Sequence, residues 1–132
     1  MLADTTVLIE FLRGKKNAIN IIKKSIEAGI PLFTTEINVF ELITGAHILN
    51  KVAYSHLEKI FSMLSKITVL PLDRRASLKA GEISGRLINK GKKIEETDCL
   101  IAGIAITNGI TDIITENKRH FNRIPQLKII TF

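Results

Sequence analysis

Short apolar runs alternate along this chain with longer segments in which apolar residues recur at helical spacing. Met1-Leu2-Ala3 forms the first apolar run, and polarity changes at Asp4. Asp4-Thr5-Thr6 then opens a segment with Val7, Leu8, Phe11 and Leu12 at i, i+1, i+4 and i+5, one face of a helix that Gly14 ends. Lys16 to Ala28 predicts a second helix with Ile19, Ile22 and Ile26 on one face and Gly29 as its stop. Ile30 to Thr34 reads as the second strand. Thr34 or Thr35 caps a helix from about Glu36 to Asn50, whose apolar face is Val39, Phe40, Leu42, Ile43, Ala46 and Leu49. Leu57, Ile60, Phe61 and Leu64 mark a further helix.

The β-branched run Lys66 to Pro71 predicts the third strand. Asp73 caps a helix running to about Asn89, with Ala76, Ala80, Ile83 and Leu87 inward and Gly91 as the stop. Lys92 to Glu96 reads as a polar loop. Asp98 then begins a helix, Cys99 to Asn108, that is apolar nearly all round and therefore expected to be buried. Asp112 to Thr115 is the fourth strand, Asn117 to Phe121 a basic turn or short helix, and Leu127 to Thr131 a last edge strand. This alternation predicts an α/β fold: a parallel sheet with helices on both faces and right-handed crossovers. No linker divides the chain, so residues 1–132 are expected to form one domain.

Composition narrows the classes. With 132 residues and 45% hydrophobic content, the chain can bury a full core. No uncharged stretch approaches the roughly 18 residues of a membrane helix, and Asp4, Glu10 and Arg13 interrupt a signal-peptide reading. A soluble, cytoplasmic protein without a membrane partner is expected. Cys99 is the only cysteine, which leaves no internal disulfide and no thiolate zinc cluster, and its place in the buried helix makes it a core residue. The net charge of +6 favours a polyanionic partner such as nucleic acid, with basic pairs at Lys15-Lys16, Lys23-Lys24, Arg74-Arg75, Lys92-Lys93 and Lys118-Arg119. Aromatic residues are only 5%, so base stacking is not expected to dominate binding.

Three acids stand out against this background. Asp4 falls at the carboxyl end of a strand, the edge where open α/β sheets bind ligands, although an ordinary helix N-cap explains the same residue. Glu41 lies mid-helix with Ile37, Thr44, Gly45 and Ile48 around it and no basic residue at helical spacing, so it is either a plain surface Glu or a carboxylate aimed into a cleft. Asp98 opens the most apolar helix, as a dipole-stabilising residue or as a group brought to the edge that holds Asp4. Thr115-Glu116-Asn117 follows the last main strand at that edge. Carboxylates gathered from separate elements repel unless a cation neutralises them, and an all-oxygen set suits Mg²⁺ or Mn²⁺. Such an ion polarises phosphoryl oxygens and activates water, so an acidic site in a basic protein fits phosphodiester hydrolysis. His47, His56 and His120 have no matching nucleophile and are expected to be structural or exposed. A phosphoaspartyl phosphatase would need a second Asp where this chain has Thr6, and a receiver domain would need adjacent acids after the first strand.

Four segments together resemble PIN-domain ribonucleases, and within them the VapC toxins of toxin–antitoxin pairs: Met1 to Gly14, Thr34 to Leu42, Asp98 to Ala105 and Ile114 to Phe121. The resemblance implies a three-layer α/β/α sandwich with a central, mainly parallel sheet of four to five strands. It implies a metal-dependent endoribonuclease with Asp4, Glu41 and Asp98 as its acidic triad, and Mg²⁺ or Mn²⁺ as cofactor. Many members carry Asp where this chain has Asn117, with Glu116 as a substitute one position early. Thr5 and Thr115 match hydroxyl positions that support the acids. A homodimer, an RNA substrate and a cognate antitoxin are implied as well. The competing readings are a catalytically inactive PIN-like module that binds RNA or protein, and a PIN nuclease of RNA maturation.

Overall fold

A computed structural model describes residues 1–48 and 54–132. The elements are β1 (Leu2–Ala3), α1 (Thr5–Leu12), α2 (Lys16–Glu27), β2 (Phe33–Thr35), α3 (Glu36–Ile48), α4 (Tyr54–Leu64), β3 (Thr68–Leu70), α5 (Arg74–Asn89), α6 (Glu96–Thr107), β4 (Asp112–Ile114), α7 (Lys118–Phe121) and β5 (Lys128–Ile130). All strand pairs are parallel and the order is β3-β2-β1-β4-β5. The chain thus runs outward from β1 on one side, then returns to build β4 and β5 on the other. The strand order reverses between β1 and β4, which opens a crevice at their carboxyl ends.

Strand side chains alternate between faces, and the two cores follow that alternation. Leu2 and Ile113 pack with Ile83, Leu87, Ile101, Ala102 and Phe121 beneath α5 and α6. Ala3 and Ile114 pack with Val7, Leu8, Leu42, Ala46 and Ile60 beneath α1, α3 and α4. The result is the expected helix–sheet–helix sandwich. α5 and α6 approach closely at Gly103, where an added Cβ would stand 2.6 Å from the Ala76 carbonyl oxygen and 2.8 Å from the Ala80 nitrogen. Asp73 caps α5 as expected, accepting a 2.8 Å bond from the Ala76 N–H.

Three expectations shift. α6 starts at Glu96 rather than at Asp98, because the solvent-facing Glu96 and the half-buried Thr97 supply a polar first turn that reads as loop. β2 is Phe33–Thr35 rather than Ile30 to Thr34; its pairing begins where Phe33 N–H meets the Met1 carbonyl oxygen, and Ile30 and Pro31 stay exposed. The Ile19, Ile22, Ile26 face of α2 is only partly covered: Ile22 packs against the core, Ile26 is 63% exposed, and Ala18 and Ser25 are the buried residues of the helix. That face borders an open apolar groove of about 550 Å³ whose walls include Phe11, Leu12, Ile22, Ile26, Met63 and Ile67. The expected positions Leu49 and Asn50 at the end of α3 lie outside the described residues.

Candidate active site

The crevice between β1 and β4 puts Asp4 directly after one strand and Thr115 directly after the other. Asp4 occupies the N-cap position of α1, yet its side chain makes no capping hydrogen bond. Its carboxylate, 3% exposed, turns into the crevice. Oδ2 accepts from Thr115 Oγ1 at 2.7 Å and Thr6 Oγ1 at 3.0 Å, and Oδ1 accepts from Asn38 Nδ2 at 3.2 Å. The hydroxyl protons are directed. Thr115 Oγ1 accepts from the Asn117 N–H at 2.9 Å, and Thr6 Oγ1 from the Glu116 N–H at 3.1 Å, which leaves each hydroxyl to donate toward Asp4. A plain N-cap does not account for this arrangement; three converging donors do what fixing a carboxylate requires.

α3 brings the second acid by a similar chain of donors. Thr35 ends β2 and caps α3, its Oγ1 accepting from the Asn38 N–H at 3.2 Å. Asn38 is fully buried and uses its whole amide: Oδ1 accepts from the Thr35 N–H and Oγ1, while Nδ2 donates to Asp4 and, at 2.9 Å, to Thr5 Oγ1. Thr5 Oγ1, its lone pair taken by Asn38, donates to Glu41 Oε2. Glu41 sits one turn beyond Asn38 on the same helix face and is half-buried. Glu41 is thus no freely exposed side chain, since Thr5 ties it to the network around Asp4.

Asp98 enters from the first turn of α6, 5% exposed. Its Oδ2 lies 2.9 Å from Asn117 Nδ2, which donates to it, and 2.5 Å from His120 Nδ1. Its carboxyl pKa is pushed up from 3.8 to about 6. Burial is the main cause; the His120 hydrogen bond and charge oppose it, and the charges of Asp4 and Glu41 reinforce it. Asp98 therefore lies within reach of the charges of both other acids. Among the described residues, no group of three or more His, Cys, Asp or Glu side chains stands close enough together to hold a metal ion, so a cation here would rest on one or two carboxylates and water. Glu41 Oε1 and Asp98 Oδ1 accept no hydrogen bond from the described residues. No buried side-chain oxygen among those residues lacks a partner, so neither atom is sealed from solvent. An open all-oxygen set with water access is what Mg²⁺ or Mn²⁺ takes, since Mg²⁺ keeps several waters and uses one or two carboxylates. The donor set fits such an ion.

The structure brings Asp4, Thr5, Glu41, Asp98, Thr115 and Asn117 together and leaves the Glu116 side chain exposed, with only its N–H engaged. Sequence reasoning passed over three more participants: Asn38, Thr6 and His120. His120 is the clearest correction, since it was expected to be structural or exposed and instead contacts Asp98. His47 and His56 are exposed as expected. Cys99 is buried, and burial pushes its thiol pKa up, so it is a core residue without nucleophilic character.

A family model described as PIN domain matches residues 1–127. The chain belongs to the PIN-domain family. Among its relatives, a protein of Salmonella typhimurium described as tRNA(fMet)-specific endonuclease VapC is 33% identical over 95 residues, 72% of this chain and 70% of that one. Ribonuclease VapC19 of Mycobacterium tuberculosis is 28% identical over 127 residues, 96% of each chain. These likenesses place the PIN domain in the VapC branch. Of the solved structures it resembles, the DNA-bound VapBC complex of Salmonella typhimurium has a TM-score of 0.86 at 28% identity, covering 98% of this chain and 96% of that one. VapBC2 of Rickettsia felis, bound to a promoter DNA fragment, has a TM-score of 0.88 at 22% identity over 99% and 97% of the two chains, a likeness of fold.

Proposed function

We propose that this PIN domain is a divalent-metal-dependent endoribonuclease and the toxin of a type II toxin–antitoxin pair. The observation that carries the reading is the convergence of Asp4, Glu41 and Asp98 on the β1–β4 crevice, each held by its own directed donors. Asp4 and Asp98 are assigned as ligands of Mg²⁺ or Mn²⁺, with Glu41 ligating or holding a bound water through Oε1. When bound, the ion polarises the phosphoryl oxygens and lowers the pKa of a water. The chain supplies the rest. Thr115, Thr6 and Asn38 keep Asp4 from rotating, and Thr5 fixes Glu41. Asn117 donates through Nδ2 to Asp98, which leaves its Oδ1, unpartnered among the described residues, free to position a water.

Support for RNA as substrate comes from the charge of +6 and from its placement. Lys92 and Lys93 lie in the loop before α6, and Lys118 and Arg119 lie in α7, beside the residues that hold Asp98. A shallow hollow of about 500 Å³ lies beside His120, but Glu95 and Glu96 line it together with Lys93, so it adds no support for a polyanion. The apolar groove beside α2 supports a protein partner, which we assign as the antitoxin, and exposed Phe40 and Ile48 on α3 support a homodimer. No helix among the described residues is long and apolar enough to cross a membrane, in keeping with action on cytoplasmic RNA.

Incubation of purified protein with total RNA and Mg²⁺ or Mn²⁺, with cut ends mapped, tests the proposal. Cleavage that EDTA stops and that Asp4→Asn nearly abolishes, with the fold intact, is the expected result. Undiminished cleavage by Asp4→Asn overturns the assignment. Absence of both cleavage and Mn²⁺ binding favours an inactive binding module, and cleavage without growth arrest on expression favours a maturation enzyme.

A further inference from the structure

Two donors converge on a single oxygen of Asp98. Asn117 Nδ2 and His120 Nδ1 both reach Oδ2, at 2.9 and 2.5 Å, and Asn117 Nδ2 and His120 Nδ1 stand 3.0 Å apart. The two residues are three positions apart on the single turn of α7, so they share one side of it. That turn is pinned from several directions. Phe121 is fully buried and Ile124 is 1% exposed. The Asn117 N–H is tied to Thr115 Oγ1, and Arg123 Nη1 donates to the carbonyl oxygens of Lys92 and Lys93, both at 2.9 Å, in the loop that leads into α6. The imidazole is therefore set against Asp98 by the fold on both sides and is not a surface ring that happens to touch it.

Resting on the function proposed above, we propose that His120 is a positioning residue for Asp98. Its Nδ1–H, with the Asn117 amide, holds Oδ2 so that Oδ1 alone is presented to the cation. Without the imidazole, Asn117 is, among the described residues, the remaining hydrogen-bond partner of the carboxylate. The carboxylate then rotates about its Cβ–Cγ bond, and the orientation that a cation needs is no longer set in advance. Partners of this kind typically contribute about 10- to 100-fold to metal affinity.

The geometry makes a sharp substitution test. In asparagine the amide nitrogen is attached to Cγ, as Nδ1 is in histidine, so His120→Asn puts an N–H where Nδ1 stands. In glutamine the amide is one methylene farther out and misses Oδ2. Mn²⁺ is titrated calorimetrically into the purified full chain, with melting in EDTA recorded to report the fold separately. His120→Ala and His120→Gln are expected to weaken Mn²⁺ binding about tenfold or more, and His120→Asn to stay within about threefold of wild type. Equal affinity in wild type and His120→Ala overturns the positioning role and leaves the nuclease reading standing. Retention by His120→Gln with loss in His120→Asn overturns it too. A wild type that binds no Mn²⁺ removes both proposals. If His120→Ala fails to fold, the comparison of asparagine with glutamine still decides.

Discussion

Asp98→Asn is expected to stabilise the metal-free protein while disabling it. Asp98 is 5% exposed, and its pKa stands at about 6 against 3.8, chiefly from burial and with the charges of Asp4 and Glu41 adding to it. At about 1.4 kcal/mol per pH unit, holding Asp98 ionised costs at most about 3 kcal/mol; water at Oδ1 screens part of this, so a penalty of roughly 1–2 kcal/mol is expected. The sign follows from proton binding. The folded chain keeps the Asp98 proton up to about pH 6, while the unfolded chain loses it near 3.8. Wild-type stability from this group is therefore fully present below the unfolded value and is lost as pH rises through the folded one. Asparagine never ionises. Its carbonyl oxygen still accepts from Asn117 and His120, and its amide turns toward Asp4 and Glu41. In EDTA the melting temperatures of the two proteins are expected to converge below about pH 4 and to separate by about 3–8 °C, variant higher, above about pH 7. Adding Mn²⁺ raises the wild type, by about 2.7 kcal/mol at a hundredfold excess over Kd, and leaves the variant where it was. A variant that melts at or below wild type at pH 8, or a gap that does not change with pH, would refute the claim that burial and neighbouring acids strain this carboxylate.

Asn38→Ala strips a fully buried amide that satisfies Thr35, Asp4 and Thr5, so urea denaturation is expected to show a loss of about 2–4 kcal/mol together with reduced cleavage. Gly103→Ala drives a methyl into the α5 backbone, and thermal melting should register about 1–3 kcal/mol of destabilisation; a neutral result would mean that the helices separate easily. Thr5→Val removes the donor to Glu41 with little change of shape, so RNA cleavage is expected to fall about tenfold and to return in Thr5→Ser. Affinity for Mn²⁺ is expected to fall steeply below about pH 6 in wild type, because the ion competes with the Asp98 proton.

The layered fold was legible because periodicity and punctuation agree along most of the chain: Asp73 to Gly91 reads as a capped helix, and α6 reads as a buried one. Asp4 and Asp98 were visible for a topological reason, since Asp4 directly precedes α1 and Asp98 falls in the first turn of α6, at the sheet edge that parallel strands reserve for ligands. Their donors were harder to see. Asn38 sits three residues after the capping Thr35, a reciprocal pattern that local sequence does carry, but the same spacing suits an ordinary cap as well as an amide reaching Asp4. His120 lies in a basic turn too short to have a periodicity, and only its offset of three from Asn117 hints that the two share a side. The Ile19, Ile22, Ile26 stripe shows the limit of hydrophobic patterning, which identifies an apolar face and is silent on what covers it.

The central claim is that Asp4 and Asp98 share a cation at the β1–β4 crevice. Anomalous diffraction from crystals soaked in Mn²⁺ tests it most directly. The account predicts one or two anomalous peaks in contact with both carboxylates in the wild type, and none there in Asp98→Asn. A saturating soak that leaves the crevice empty, or a peak held elsewhere with Asp4 and Asp98 untouched, would contradict it.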